Sequence, residues 1–184
     1  MRENFQRACK IGGPARVRGT LDSDYKPVPA YNVIARLPGA RLPEQWILRG
    51  NHHDGWNHGA ADPISGLVAM LAEAKALGAL AAEGYRLDRT VMYAAWDAEE
   101  QGLIGSTEWV EDHAEALREH LVAYLNTDGN SRGFVGLGGS HSLQRLMNEV
   151  ADATADPILQ VPVTDRLRAK LRLSADKGDQ QEAQ

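Results

Sequence analysis

Residues 90–100 read TVMYAAWDAEE, a run of seven mostly apolar residues that leads straight into three acids among the next four. Thr90 to Trp96 shows no polar alternation, so it predicts a strand covered on both faces, as central strands of parallel sheets are. Two adjacent carboxylates, Glu99 and Glu100, then stand at its carboxyl end. In an open α/β sheet that is the edge where ligands bind.

The same arrangement recurs on both sides of this stretch. Trp46 to Arg49 (WILR) predicts a strand that leads to Gly50-Asn51-His52, with Asp54 two residues on. Leu121 to Leu125 (LVAYL) predicts a further buried strand, ending at Asn126-Thr127-Asp128. Tyr31 to Leu37 (YNVIARL) predicts another, turned by Pro38-Gly39. Between them, residues 65–80 (SGLVAMLAEAKALGAL) predict a helix capped by Ser65, with Leu67, Met70, Leu71, Ala74 and Leu77 on one stripe. Ser106 to His120 predicts a helix capped by Ser106, Phe134 to Leu137 a short strand, and Ser142 to Ala153 another helix. Strands alternating with helices predict an α/β sheet.

The ends differ in texture. Residues 1–30 carry Gly12-Gly13-Pro14, Gly19, Pro27 and Pro29 without a durable period, which predicts a tail. From 156 to 184 the chain turns basic and then polar. DRLRAKLRL predicts a basic amphipathic helix, with a disordered tail from Lys177 to Gln184.

Composition narrows the function. The chain has 184 residues, 43% hydrophobic and 24% charged, which suits one globular domain. A net charge of -5 and the lack of a basic, aromatic-laced stripe argue against nucleic acid as a partner. Cys9 is the only cysteine, so an internal disulfide and cysteine-rich metal sites are excluded. Met1 to Lys10 lacks the apolar centre of a signal peptide, and the sequence predicts no segment with the roughly 18 apolar residues of a membrane helix.

Three strands thus bring His52, Glu99 with Glu100, and Asp128 to one edge, and Asp62 joins from the loop before the first helix. Imidazole and carboxylates without thiolates suit a two-metal hydrolytic centre. Asp54 can hold the second nitrogen of His52 and set its tautomer. Asp62 can bridge two ions, or be an ordinary Asp-Pro turn residue. Adjacent Glu99 and Glu100 repel unless cations or protons intervene. One division of labour makes Glu100 a ligand and Glu99 the group that takes a proton from the attacking water and returns it to the leaving amine. A solvated acidic turn is the other reading.

YNVIARLPG, GNHHDGW, ADPISG, WDAEEQGLIGSTEW and AYLNTDGN, spread between Tyr31 and Val150, closely resemble the zinc-peptidase domain of the glutamate carboxypeptidase II and transferrin receptor family. The resemblance implies a three-layer zinc-exopeptidase-like α/β domain over residues 31–155, with a mainly parallel central sheet flanked by helices. It implies zinc as cofactor, two ions in the complete family site and one or two here, and short peptides as substrates. By motif, His52 and Asp128 correspond to ligands of the first zinc, Asp62 to the bridging aspartate and Glu100 to a ligand of the second. Glu99 corresponds to the general base and Asp54 to the carboxylate behind the histidine. The receptor branch has lost its catalytic set, whereas these positions are intact here.

The resemblance also sets expectations of incompleteness. The family's second zinc takes a further histidine from a much later segment, so the domain is expected to be truncated at its C-terminus. His53, His58, His113, His120 and His141 are the candidates to replace that ligand. IGGPARVRG resembles the edge of the family's protease-associated domain, and the family's dimers make a homodimer a possible assembly. Relatives work outside the cytoplasm, while this chain shows no export signal, which leaves its compartment open. The rival expectation is an inactive or incomplete peptidase-like fragment that serves as a metal-stabilised interaction module.

Overall fold

A computed structural model describes residues 18–182, and side chains up to Ser174. The chain divides into two compact units, Met1–Tyr31 and Asn32–Gln184. In the first, residues 18–31 form no helix or strand, and IGGPARVRG falls mostly outside the described residues.

The second unit is built on four strands: β1 (Val33–Leu37), β2 (Leu42–His52), β3 (Arg89–Trp96) and β4 (Leu121–Asn126). Their order is β1-β3-β2-β4. β3 runs parallel to β2 and β2 parallel to β4, while β1 is antiparallel to β3. The sheet is therefore mainly parallel, with its antiparallel strand at one edge. β3 is the buried interior strand that its unbroken apolar run predicts, and Ala94 and Thr90 are fully covered.

Helices cover both faces, which makes three layers. On one face α1 (Ile64–Ala82) packs Met70, with Leu67, Ala74 and Leu77, against Val91 and Tyr93 of β3 and Ile47 of β2. Met70 is 1% exposed, and burying it contributes about 1.5–3 kcal/mol. On the other face α2 (Ile104–Asp112) brings Trp109 onto Leu48, Met92, Ala94 and Trp96. α3 (Ala114–His120) follows it and packs near β2 and β4. A 3-10 turn (His141–Leu143) leads into α4 (Gln144–Ala153), which pairs with α5 (Val163–Glu182). Asp156 anchors the α4–α5 connection: its carboxylate accepts the N–H groups of Ile158 and Leu159 and the guanidinium of Arg166.

Several local expectations need correction. β2 is longer than WILR at both ends, and Gly50 lets its last residues pass beneath a crowded layer. A Cβ there would lie 2.4 Å from the Tyr124 hydroxyl and 2.7 Å from the Trp96 Nε1. Leu71 does not share the core stripe: it is 56% exposed, one residue and so about 100° around the helix from Met70. Ser65 is not a cap, since α1 starts one residue earlier behind Pro63; its hydroxyl instead donates to Ala61 O and accepts Asn130 N–H at 2.6 Å. Ser106 is not a cap either, because Leu103, at φ 61°, holds the cap position and Ser106 lies inside α2. The single helix expected to His120 breaks at His113, whose ring stacks on Trp109 at 4.3 Å and puts Nδ1 2.8 Å from the Trp109 carbonyl.

β4 is not a fully buried strand. It is an edge strand whose residues alternate between half-buried and exposed, with Val122 and Tyr124 outward. Phe134 to Leu137 forms no strand; Phe134 sits under Arg166 and Lys170 of α5, 5.0 and 4.8 Å from its ring centre. α5 runs to Glu182, through residues whose composition pointed to disorder. α1 is also long and apolar enough, by length and composition, to cross a membrane, contrary to the expectation that no segment would be. Here it lies along the sheet and supplies part of the core.

Candidate metal centre

The carboxyl ends of β2, β3 and β4 lie side by side because the three strands are parallel neighbours, in register from Ile47, Val91 and Ala123 onward. His52 is the last residue of β2 and is 3% exposed. Its Nε2 lies 3.1 Å from Asp62 Oδ1 and 3.1 Å from Asp128 Oδ1. One nitrogen and two carboxylate oxygens from these residues fall within 4.8 Å of one another, close enough to share an ion. The donor set, one imidazole and two carboxylates partly open to solvent, fits zinc.

Asp62 reaches the cluster from the loop between β2 and α1, through a cis Asp62–Pro63 bond. Asp128 arrives two residues after β4. Gly66 makes room for it: a Cβ at Gly66 would lie 1.7 Å from Asp128 O. Glu99 approaches from the third strand end, with Oε2 3.8 Å from His52 Nε2.

Asp54 backs the cluster. Its carboxylate lies 3.4 Å from His52 Nδ1, and its backbone carbonyl 3.1 Å from the same nitrogen. The two carboxylate oxygens also accept the N–H groups of Glu99 at 3.0 Å and Glu100 at 3.2 Å. Burial disfavours the charge on Asp54, but those two amides and its own N–H outweigh it and hold the carboxyl below its ordinary value.

The charges around His52 and Glu99 are coupled. Burial of the His52 ring opposes its protonation, yet the Asp128 hydrogen bond and the charges of Glu99 and Asp128 prevail and raise its pKa. Glu99 is raised as well, by burial first and then by Asp128, Glu100 and Asp54, against the opposing charge of His52. A carboxylate raised in this way holds a proton more readily than a free glutamate does.

Glu100 stands outside the three-ligand cluster. Its ties to the centre are the N–H bond to Asp54 and its charge beside Glu99. Among the spare histidines, His113 is stacked on Trp109 and His120 lies 4.6 Å from the Trp46 ring, both in the helical layer. His58 is exposed in the β2–α1 loop, and His141 opens the 3-10 turn. His53 follows His52 directly, with its N–H on Trp96 O.

Asn32 contributes to the site without any signal in its sequence neighbours. Its carbonyl accepts Asp97 N–H at 3.0 Å and its amide donates to Gly105 O at 2.7 Å. The turn that carries Glu99 and Glu100 is thereby closed, with Ala98 at φ 53° and the Gly102, Leu103 and Ile104 N–H groups returning to Glu99 O and Ala98 O. Gly105 is needed there, because a Cβ would lie 2.2 Å from Asp97 O.

Residues 32–171 match the family described as Peptidase family M28. The chain belongs to peptidase family M28. Its M28 relatives include a protein named probable glutamate carboxypeptidase VP8 of Zea mays, 38% identical over 147 residues, which are 79% of this chain and 20% of that protein. Aminopeptidase NAALADL1 of Mus musculus is 45% identical over 98 residues, covering 53% and 13% respectively. A crystal structure of a peptidase M28 precursor from Shewanella amazonensis aligns with a TM-score of 0.47 and 30% identity, over 54% of this chain and 22% of that one. This M28 chain spans between 19% and 21% of the length of the glutamate carboxypeptidase relatives it matches in maize and Arabidopsis thaliana.

Proposed function

We propose that this chain carries the metal centre of a zinc-dependent exopeptidase that hydrolyses short peptides. The observation that supports it most is the convergence of His52, Asp62 and Asp128 from three separate segments onto a volume the size of one ion. His52, Asp62 and Asp128 would hold the first zinc, and Asp62 and Glu100 are the residues of this chain that would serve a second.

Zinc, when bound, supplies Lewis acidity toward the scissile carbonyl and makes water acidic near neutral pH. Glu99 accepts the proton of the attacking water at its carboxylate and returns it to the leaving amine. Asp54 keeps His52 in one tautomer by accepting a hydrogen bond from Nδ1–H with its carbonyl and carboxylate and, through the Glu99 and Glu100 amides, positions the base relative to the ligands.

Relatives named glutamate carboxypeptidase and aminopeptidase both match this chain, so the end of the peptide that is attacked is the first specificity to test. Short peptides blocked at the N-terminus or at the C-terminus separate the two. Zinc-dependent release of one terminal residue, abolished by a chelator and restored by zinc, is the expected result. A zinc-loaded, folded chain that cleaves neither panel would reject the catalytic reading.

A second reading is a metal-stabilised interaction module. It is favoured by the position of Glu100 outside the cluster and by an apolar groove of about 710 Å³ beside edge strand β4, lined by Val110, Leu117, Leu121 and Tyr124. Metal binding without hydrolysis, with the chain self-associating or holding a partner through that groove, would select this reading. A homodimer would be one such assembly.

A further inference from the structure

The residue before His52 has no place in the chemistry above, yet it is among the most completely enclosed polar groups described. Asn51 is 0% exposed. Its amide nitrogen donates to His52 O at 2.8 Å and to Pro63 O at 3.2 Å, and its carbonyl accepts the Thr127 hydroxyl at 2.9 Å. The orientation of the amide follows from its partners, since the two backbone carbonyls can only accept.

These partners belong to the three segments that carry the ligand cluster. His52 O lies on the histidine itself, Pro63 follows Asp62, and Thr127 precedes Asp128. The segments are otherwise joined near the site by Thr127 N–H on Gly50 O, which links β2 to β4, and by the Ser65 hydroxyl, which joins Ala61 O of the Asp62 loop to Asn130 N–H beyond β4. Asn51 is the side chain that reaches the Asp62 loop and both strand ends at once. The space around it is tight, because a Cβ on Gly66 would lie 2.3 Å from Asn51 Oδ1.

We propose that Asn51 is a positioning residue of the metal centre, which sets the mutual distance of His52, Asp62 and Asp128 through its three hydrogen bonds. This rests on the reading of those three residues as ligands. Its reach is local: one buried amide takes the place of water on two backbone carbonyls and a hydroxyl, and so the ligand triangle is formed before an ion arrives. Supporting groups of this kind, when removed, typically cost about 10–100-fold in metal affinity.

The test separates positioning from plain burial by removing one bond at a time. Thr127→Val keeps shape and takes away the hydroxyl that Asn51 accepts, whereas Thr127→Ser keeps it; Asn51→Ala removes all three bonds. Each full-length variant is checked for fold by circular dichroism and then titrated with Co2+ against a chromophoric chelator. In parallel, the His52 ring signals are followed by NMR in the metal-free chain. Thr127→Val is expected to bind Co2+ about 10-fold more weakly, with shifted visible bands and a broadened or split His52 signal. Thr127→Ser is expected to match the parent in all three, and Asn51→Ala, where it folds, to lose more than Thr127→Val. A folded Thr127→Val with parental cobalt affinity, spectrum and His52 signal would overturn the proposal. If the parent chain takes no cobalt, the ligand assignment itself fails. The His52 signal then decides alone, and an unchanged signal in Thr127→Val overturns the role of Asn51.

Discussion

Asp54 accepts the backbone N–H of Glu99 at 3.0 Å with the same carboxylate oxygen that faces His52 Nδ1 at 3.4 Å. One acid therefore couples the orientation of the buried imidazole to the position of the loop that holds the proposed base. The other Asp54 oxygen takes the Glu100 N–H, so both acids of the pair are placed by a single side chain.

Asp54→Ala should accordingly be costly in two ways. Two part-buried N–H groups lose their acceptor, which predicts a loss of about 1–3 kcal/mol in urea unfolding of the metal-free chain. Zinc affinity should fall as well, because the His52 ring loses the carboxylate beside Nδ1 and keeps only the backbone carbonyl of the same residue there. Equal stability and affinity in parent and variant would remove Asp54 from this role.

Glu99→Gln keeps the size of the side chain and removes its basicity. Zinc affinity should stay close to that of the parent, while peptide hydrolysis drops by about 10²–10⁴-fold. Measurement of both on one preparation is decisive, since retained hydrolysis would dismiss Glu99 as the base.

The pH dependence of the metal-free chain has a defined sign. His52 is raised, so its contribution to stability is fully present below 6.5 and is lost as pH rises through the higher folded value. Asp54 is lowered, so its contribution is present above 3.8 and is lost as pH falls through the lower folded value. Zinc needs the unprotonated imidazole, so stabilisation by zinc should grow over the range in which the metal-free chain weakens. Urea midpoints from pH 5 to 9, with and without zinc, should diverge as pH rises. In His52→Gln that divergence should vanish.

Glycine substitutions offer a structural control. Gly66→Ala drives a Cβ to 1.7 Å from Asp128 O and should destabilise by about 1–3 kcal/mol or more, with loss of zinc binding. Gly78, in the same helix, has nothing within 4 Å of an added Cβ. Gly78→Ala should stabilise the chain by about 0.5–1 kcal/mol. Thermal unfolding of the two variants should move the midpoint in opposite directions.

Much of the arrangement is legible in sequence because it depends on strand ends. An apolar strand followed by polar residues announces its own carboxyl edge, and His52, Glu99 and Asp128 are found by that pattern. β4 is misjudged because LVAYL is as apolar as a central strand, although its neighbours cover one side of it. Asn51, Asn32 and Gly66 are not legible at all. Their roles arise from contacts with segments 12 to 76 positions away, and a lone Asn or Gly at a strand or helix end has many ordinary explanations. The two helix caps fail for a local reason, since serine near a helix start is a good cap only if the chain turns at that residue.

The most direct test of the account is zinc bound per folded chain after free metal is removed, in the parent and in Asp62→Ala. The account predicts at least one tightly held zinc in the parent and its loss in Asp62→Ala with the fold retained. A folded parent chain that holds no zinc, or an Asp62→Ala chain that holds as much as the parent, would contradict it.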